Sequence, residues 1–210
     1  VYKRQLFATD GIAESSLRAI TREAGANLAS VNYHFGSKEG LVQAVFARRL
    51  QPLNQRRLDL LDRCGPRPDG RPELECVLRA FVEPAMIMMT SDDAGDREFI
   101  KLLGRMLFEP SPELRSLMVN EFEEMARRFS AALGRALPQA PKEELAWRFH
   151  FMVGALAHTV AGRFLVSHQL ECLELPGDED VETLTARLVD FLASGWQGLD
   201  SAADEDPQET

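Results

Sequence analysis

The chain is poor in cysteine, histidine and long apolar runs, and each shortage narrows what it can be. Three cysteines, Cys64, Cys76 and Cys172, are scattered through 210 residues. No CxxC spacing occurs among them, which argues against a zinc site or a redox pair. Three free thiols in a reducing compartment are expected. Of four histidines, His150, His158 and His168 fall eight and ten residues apart. That spacing does not make an i, i+4 metal pair, so no metal and no cofactor is expected. No apolar stretch approaches the ~20 residues that span a bilayer, and no signal peptide is visible. The chain starts at Val1 rather than at a methionine, inside what reads as a helix. Its native start is therefore expected to lie upstream, and a cytoplasmic address is the simplest expectation. GxSxG, Walker and dinucleotide-binding glycine patterns are missing as well, so no enzymatic activity is expected.

What the chain does contain is helical pattern throughout, with no competing strand alternation. The expected fold is all-α: an N-terminal helix-turn-helix domain over residues 1–50, a larger helical effector-binding and dimerisation domain over 51–200, and an acidic tail over 201–210. The net charge of −9 hides a polarity. Residues 1–63 hold ten Lys and Arg against six Asp and Glu, a balance of +4, and the remainder carries −13. The positive end coincides with the stretch that organises the rest.

That stretch is SLRAITREAGANLASVNYHFGSKEGL, Ser16 to Leu41. Leu17, Ile20 and Ala24 recur at helical spacing, and Ser15 or Ser16 can cap that helix. Gly25 suits a left-handed helix end. Asn27 can cap a second helix, Leu28 to about Phe35, which buries Leu28 and Val31. Two short helices about a glycine turn match the helix-turn-helix unit, whose second helix enters the DNA major groove. A base-reading helix needs short polar side chains and phosphate donors. Asn27, Ala29, Ser30, Asn32, Tyr33 and His34 are the candidates there. Lys38, Ser15 and Ser16 are the candidates at the flanking helix starts, with Arg18 and Arg22 nearby.

AGANLASVNYHFGSKEGL is similar to the signature of the TetR family of bacterial transcription regulators, with Ala24-Gly25, Tyr33-His34-Phe35 and Lys38-Glu39-Gly40-Leu41 in the matching places. The resemblance is specific over roughly Leu6 to Leu50. Within the family, NLASVNYHFGSKEGLVQAVFARRL and WRFHFMVGALAHTVAG most resemble the fatty-acid-responsive PsrA-type subgroup. The resemblance implies a homodimeric repressor on a palindromic duplex operator, controlled by a small apolar effector such as a fatty acid or acyl derivative. It also implies phosphate contacts at Tyr33 and His34, and a four-helix dimer interface built from the last two long helices.

Downstream of the head, a helix is expected from Lys38 to about Arg63, kinked or broken near 48–51 by Pro52. A loop spans Cys64 to Glu73, and Pro84 should bend the helix that follows. The middle helices are rich in Met and Phe, which suits a pocket for an apolar ligand. The candidate pocket residues are Met86, Met89, Phe99, Leu103, Met106, Phe122, Met125, Phe129 and Met152. Arg97, Lys101 and Arg105 share one helix and could hold an anionic head group. Candidate dimer residues are Gly154, Ala157 and Ala161 on the long helix from Lys142, with Leu184, Leu188 and Phe191 on the last helix. The rival reading is a helical ligand carrier or enzyme with a degenerate head. It predicts no steep salt dependence of duplex binding.

Overall fold

The computed structural model describes residues 17–23, 25–108, 112–166 and 179–201. Within these, the side chains of residues 19–20, 23, 101–102, 104–108, 112–118, 161–166 and 197–201 lie outside the description. Eight helices occur among the described residues: α1 Leu17–Glu23, α2 Leu28–Phe35, α3 Lys38–Arg63, α4 Leu74–Met89, α5 Ala94–Phe108, α6 Pro112–Ala136, α7 Lys142–Val166 and α8 Val181–Ser201. No strand accompanies them there; an isolated bridge between Pro66 and Pro72 is the sole extended pairing. The fold is all-α, as the sequence implies.

The ends of the small helices follow from their capping chemistry. Gly25 has φ +58°. Its amide donates to the Arg22 carbonyl at 3.1 Å, and the next amide, of Ala26, donates to the Thr21 carbonyl at 2.8 Å. This crossed pair closes α1 as a Schellman motif, which needs a left-handed residue that glycine adopts at little cost. Asn27 Oδ1 accepts from the Ala29 amide at 2.8 Å and so starts α2. Ser37 Oγ accepts from the Gly40 amide at 3.1 Å and starts α3.

Of the kink or break expected at Pro52, the break does not occur: α3 runs on through it, and α4 likewise continues through Pro84. Pro52 lies on the exposed side of α3, and so does Arg48, whose carbonyl loses its donor. Water can satisfy that carbonyl, so the proline need not interrupt the helix. The opposite side of α3 buries Leu41, Val42, Phe46, Leu50, Leu53 and Leu61.

α4 is the axis of the body. It packs against α3, α5, α6, α7 and α8. Accordingly it is apolar nearly all round, as a helix surrounded by neighbours must be. Phe81 at its centre meets Phe129 of α6 and Phe149 of α7 edge-on, with ring centroids 5.3 and 5.6 Å apart. α8 lays Val189, Leu192, Ala193 and Trp196 into the same core. Asp180 caps α8 by accepting from the Thr183 amide at 3.0 Å and hydroxyl at 2.8 Å. These two hydrogen bonds to the charged form hold the Asp180 carboxyl below its usual pKa.

The loop between α3 and α4 departs from expectation. Cys64 and Cys76 form a disulfide, with Cα atoms 5.8 Å apart. Arg67-Pro68-Asp69-Gly70 is a turn closed by the Gly70 amide on the Arg67 carbonyl, with Gly70 at φ +81°. That reversal brings the end of α3 beside the start of α4. The expectation of three free thiols fails for this pair, because spacing along the chain does not reveal which helix ends fold together.

Candidate nucleic-acid interface and effector pocket

α2 presents two faces. Val31 points into the core at 6 % exposure, with Leu28 and Phe35 half-buried beside it. Ala29, Ser30, Asn32, Tyr33 and His34 are all exposed. Tyr33 is the extreme, at 87 %. An aromatic ring that exposed contributes little to the fold and is free to meet a partner. Its edge-on contact with His34, centroids 5.4 Å apart, is its one ring neighbour among the described residues. Asn27 is exposed too, but its side chain is engaged in the cap. Lys38 is half-buried at the start of α3. Arg18 and Arg22 are exposed on α1. Ser15 and Ser16 lie outside the described residues.

A cavity of about 310 Å³ opens in the body. Its walls come from five helices. Phe81 and Ala85 come from α4, Ile100 and Leu103 from α5, and Val119, Phe122, Met125 and Ala126 from α6. From α7 come Phe149, Val153, Leu156, Ala157 and Val160. Val119, 58 % exposed, marks where the cavity meets the surface. The remaining lining residue is Arg57 of α3, the one charged group among them.

Three residues expected at a pocket therefore line it: Leu103, Phe122 and Met125. Met86, Phe99, Phe129 and Met152 are instead fully buried core, and Met89 packs half-buried against that core. The Met106 side chain lies outside the description. Ala157, expected at a dimer surface, is buried and lines the cavity. Gly154 and Ala157 are neighbours one turn apart on α7, yet Gly154 is exposed while Ala157 is covered by the rest of the body.

Arg57 was not anticipated. Its position was legible: Leu50, Leu53, Arg57 and Leu61 follow one another at three- and four-residue steps, so the arginine interrupts the apolar stripe rather than the solvent face. It is 3 % exposed. Nε donates to the Phe81 carbonyl at 2.9 Å, and Nη1 donates to Asn54 Oδ1 at 3.3 Å. The guanidinium carbon sits 4.3 Å from the centroid of the Phe81 ring. Asn54 is fixed in turn by donating to the Glu121 carbonyl of α6 at 2.8 Å. Burial pushes the Arg57 pKa down to about 9, which leaves the group charged at neutral pH. The head-group candidate Arg97 is turned elsewhere, donating to the Ser91 carbonyl. Lys101 and Arg105 have side chains outside the description.

Beyond the cavity, α7 and α8 keep large apolar side chains in the open. Trp147 and Phe151 stack with centroids 5.7 Å apart and are 57 % and 61 % exposed; Phe191 of α8 is 68 % exposed. Gly154 is exposed on the same helix as the stacked pair. Leu184 and Leu188 are half-buried, and the Ala161 side chain lies outside the description. Among the described residues no group of His, Cys, Asp and Glu could hold a metal ion. No described helix is long and apolar enough to cross a membrane.

Comparison with known proteins accounts for both ends of the chain. Residues 4–45 match the family model for bacterial regulatory proteins of the tetR family, and residues 79–195 match the model for the tetracyclin repressor-like C-terminal domain. No curated protein sequence matches. Among solved structures, the fatty acid degradation regulator FadR from Bacillus halodurans superposes with a TM-score of 0.64 at 14% identity, covering 92% of each chain. The TetR family regulator PfmR from Thermus thermophilus gives 0.62 at 17% identity, covering 91% of this chain and 94% of its own. The ketosteroid regulator KstR2 of Mycobacterium tuberculosis gives 0.60 at 14% identity, covering 92% and 90%. With one model spanning more than half the sequence and a second on the head, the chain belongs to the TetR family of transcriptional regulators.

Proposed function

We propose that the protein is a homodimeric repressor that grips a palindromic DNA operator and releases it when a small apolar effector enters the body. It is a binding protein and not an enzyme, and it works in the cytoplasm. The observation that carries the reading is the outward row on α2: Ala29, Ser30, Asn32, Tyr33 and His34 stand exposed while Val31 anchors the helix from behind. Those side chains suit base edges and phosphates. Lys38 adds a phosphate donor at the start of α3, where amides already favour anions, and Ser15 and Ser16 are proposed as further donors just ahead of Leu17 in the sequence.

One head covers a short half-site, so useful affinity needs two heads a helical turn or more apart. The stacked Trp147 and Phe151, with Gly154 beside them and Phe191 on α8, supply an apolar face for the twofold mate. Coupling to the effector runs along α3. That helix carries Lys38 at the head and Arg57 at the cavity, 19 residues and about 28 Å away at 1.5 Å per residue. Arg49, between them, pairs with Asp93 at 3.2 Å and with Asp96, tying α3 to the start of α5. An effector that binds better to a body whose heads are wrongly spaced lowers DNA affinity by the same factor by which DNA lowers effector affinity. The apolar cavity and the likeness to a fatty acid degradation regulator support an acyl-type effector and a PsrA-like role.

The test is a gel shift with a palindromic operator recovered by selection from random duplexes. Wild type should bind with a steep loss of affinity as salt rises. Tyr33→Ala combined with Lys38→Ala should abolish the shift while leaving the melting temperature in place. Full affinity in that double variant overturns the assignment.

A further inference from the structure

The cavity walls are hydrocarbon apart from one cation, and that cation has no anion opposite it. Among the described residues no carboxylate pairs with Arg57; its polar partners are the Phe81 carbonyl and Asn54 Oδ1, both neutral. Nε and Nη1 make those bonds, and Nη2 has no partner there. A buried charge without a counter-charge is costly, and a protein built only for stability would replace it with a hydrocarbon. Asn54 holds the guanidinium from one side and is itself tied to α6, so the cation is fixed in position before any ligand arrives.

We infer that the cavity takes an amphipathic monocarboxylic acid, its carboxylate paired with the Arg57 guanidinium and its apolar body lying along Phe122, Met125, Val153 and Leu156. This rests on the reading of the cavity as the effector site and names the chemical class of the effector. A neutral ligand leaves the cation uncompensated. An amine meets like charge. A phosphate monoester brings a second negative charge that nothing among the described lining residues matches. The size follows from the volume. An apolar cavity of roughly 150 Å³ accepts benzene, so 310 Å³ holds about a dozen carbon-sized atoms.

The probes are decanoate, 1-decanol and decyltrimethylammonium, each titrated into the full chain by calorimetry below its micellar concentration. Decanoate should bind about ten- to a hundredfold more tightly than decanol, the range for a hydrogen bond to a charged group. The ammonium should bind more weakly than decanol. In Arg57→Met the preference for decanoate should vanish while decanol binding is retained or strengthened. Equal binding of decanoate and decanol by wild type overturns the inference without any variant, so a misfolded Arg57→Met does not rescue it. Failure of decanoate to bind, or a preference that survives in Arg57→Met, overturns it too. Gel shifts run without ligand separate the two claims. DNA binding with no decanoate binding leaves the regulator standing and removes the acid; decanoate binding by a protein that never binds duplex DNA does the reverse.

Discussion

Removing the Cys64–Cys76 bridge should cost a definite amount of stability. The two residues are separated by 12 positions along the chain. Cross-linking a loop of that size removes closure entropy from the unfolded chain worth about 3 kcal/mol at 25 °C. For a chain of roughly 200 residues each kcal/mol moves the melting temperature by about 2–4 °C, so the loss should be about 6–12 °C. The turn at Arg67–Gly70 already reverses the chain, which favours the low end of that range. The assay is differential scanning calorimetry at one fixed protomer concentration, since melting of the proposed dimer depends on concentration. Oxidised wild type, reduced wild type and Cys64→Ser/Cys76→Ser are compared. Reduced protein and double variant should coincide. Denatured without reductant, wild type should offer one alkylatable thiol of its three cysteines. Melting points within about 1 °C for all three samples, or three thiols titrated, would refute the argument.

Other substitutions separate the roles assigned to neighbouring aromatics. Phe129 is fully buried and Phe122 half-buried on the cavity wall. Phe129→Ala should lower stability by about 3–5 kcal/mol by chemical denaturation, whereas Phe122→Ala should cost less than half of that and change decanoate affinity. Phe191→Asp should convert the proposed dimer to monomer in light scattering at micromolar concentration, because each subunit would bury an unpaired carboxylate; a persistent dimer would move the proposed interface elsewhere. Arg49→Ala should leave ligand affinity unchanged but weaken the effect of ligand on DNA binding, read from gel shifts with and without ligand. Its pairs are partly exposed, so the stability cost should stay near ~1 kcal/mol.

The parts of this molecule legible in its sequence are those set by neighbours along the chain. Gly25, Asn27 and Ser37 each fix a helix end through bonds to residues within four positions, and each cap is found where the sequence places it. The same local logic left two outcomes open at Pro52, and the helix does not break there. The steric rule concerns a lost donor, but whether the helix breaks depends on the side of the body the proline faces. The cavity was harder still. Met86, Phe99, Phe129 and Met152 have the same character as Met125 and Leu103, yet only the latter two face the void. Composition says that a helix is greasy, and only packing says which of its faces meets empty space. Arg57 was hidden by the habit of assigning charges to the solvent side.

Three of the cavity walls are alanines: Ala85 on α4, Ala126 on α6 and Ala157 on α7. Ala85 and Ala157 are themselves buried, so a larger side chain at either must take its space from the cavity or from packed neighbours. Exchanging the three alanines for leucine, singly and together, adds three carbons at each position, and wherever those carbons enter the cavity they shorten the chain it can hold. On the proposed reading of the cavity, the scaffold is thus suited to a graded set of sensors for acids of successively shorter chain, tuned at the small residues of its walls.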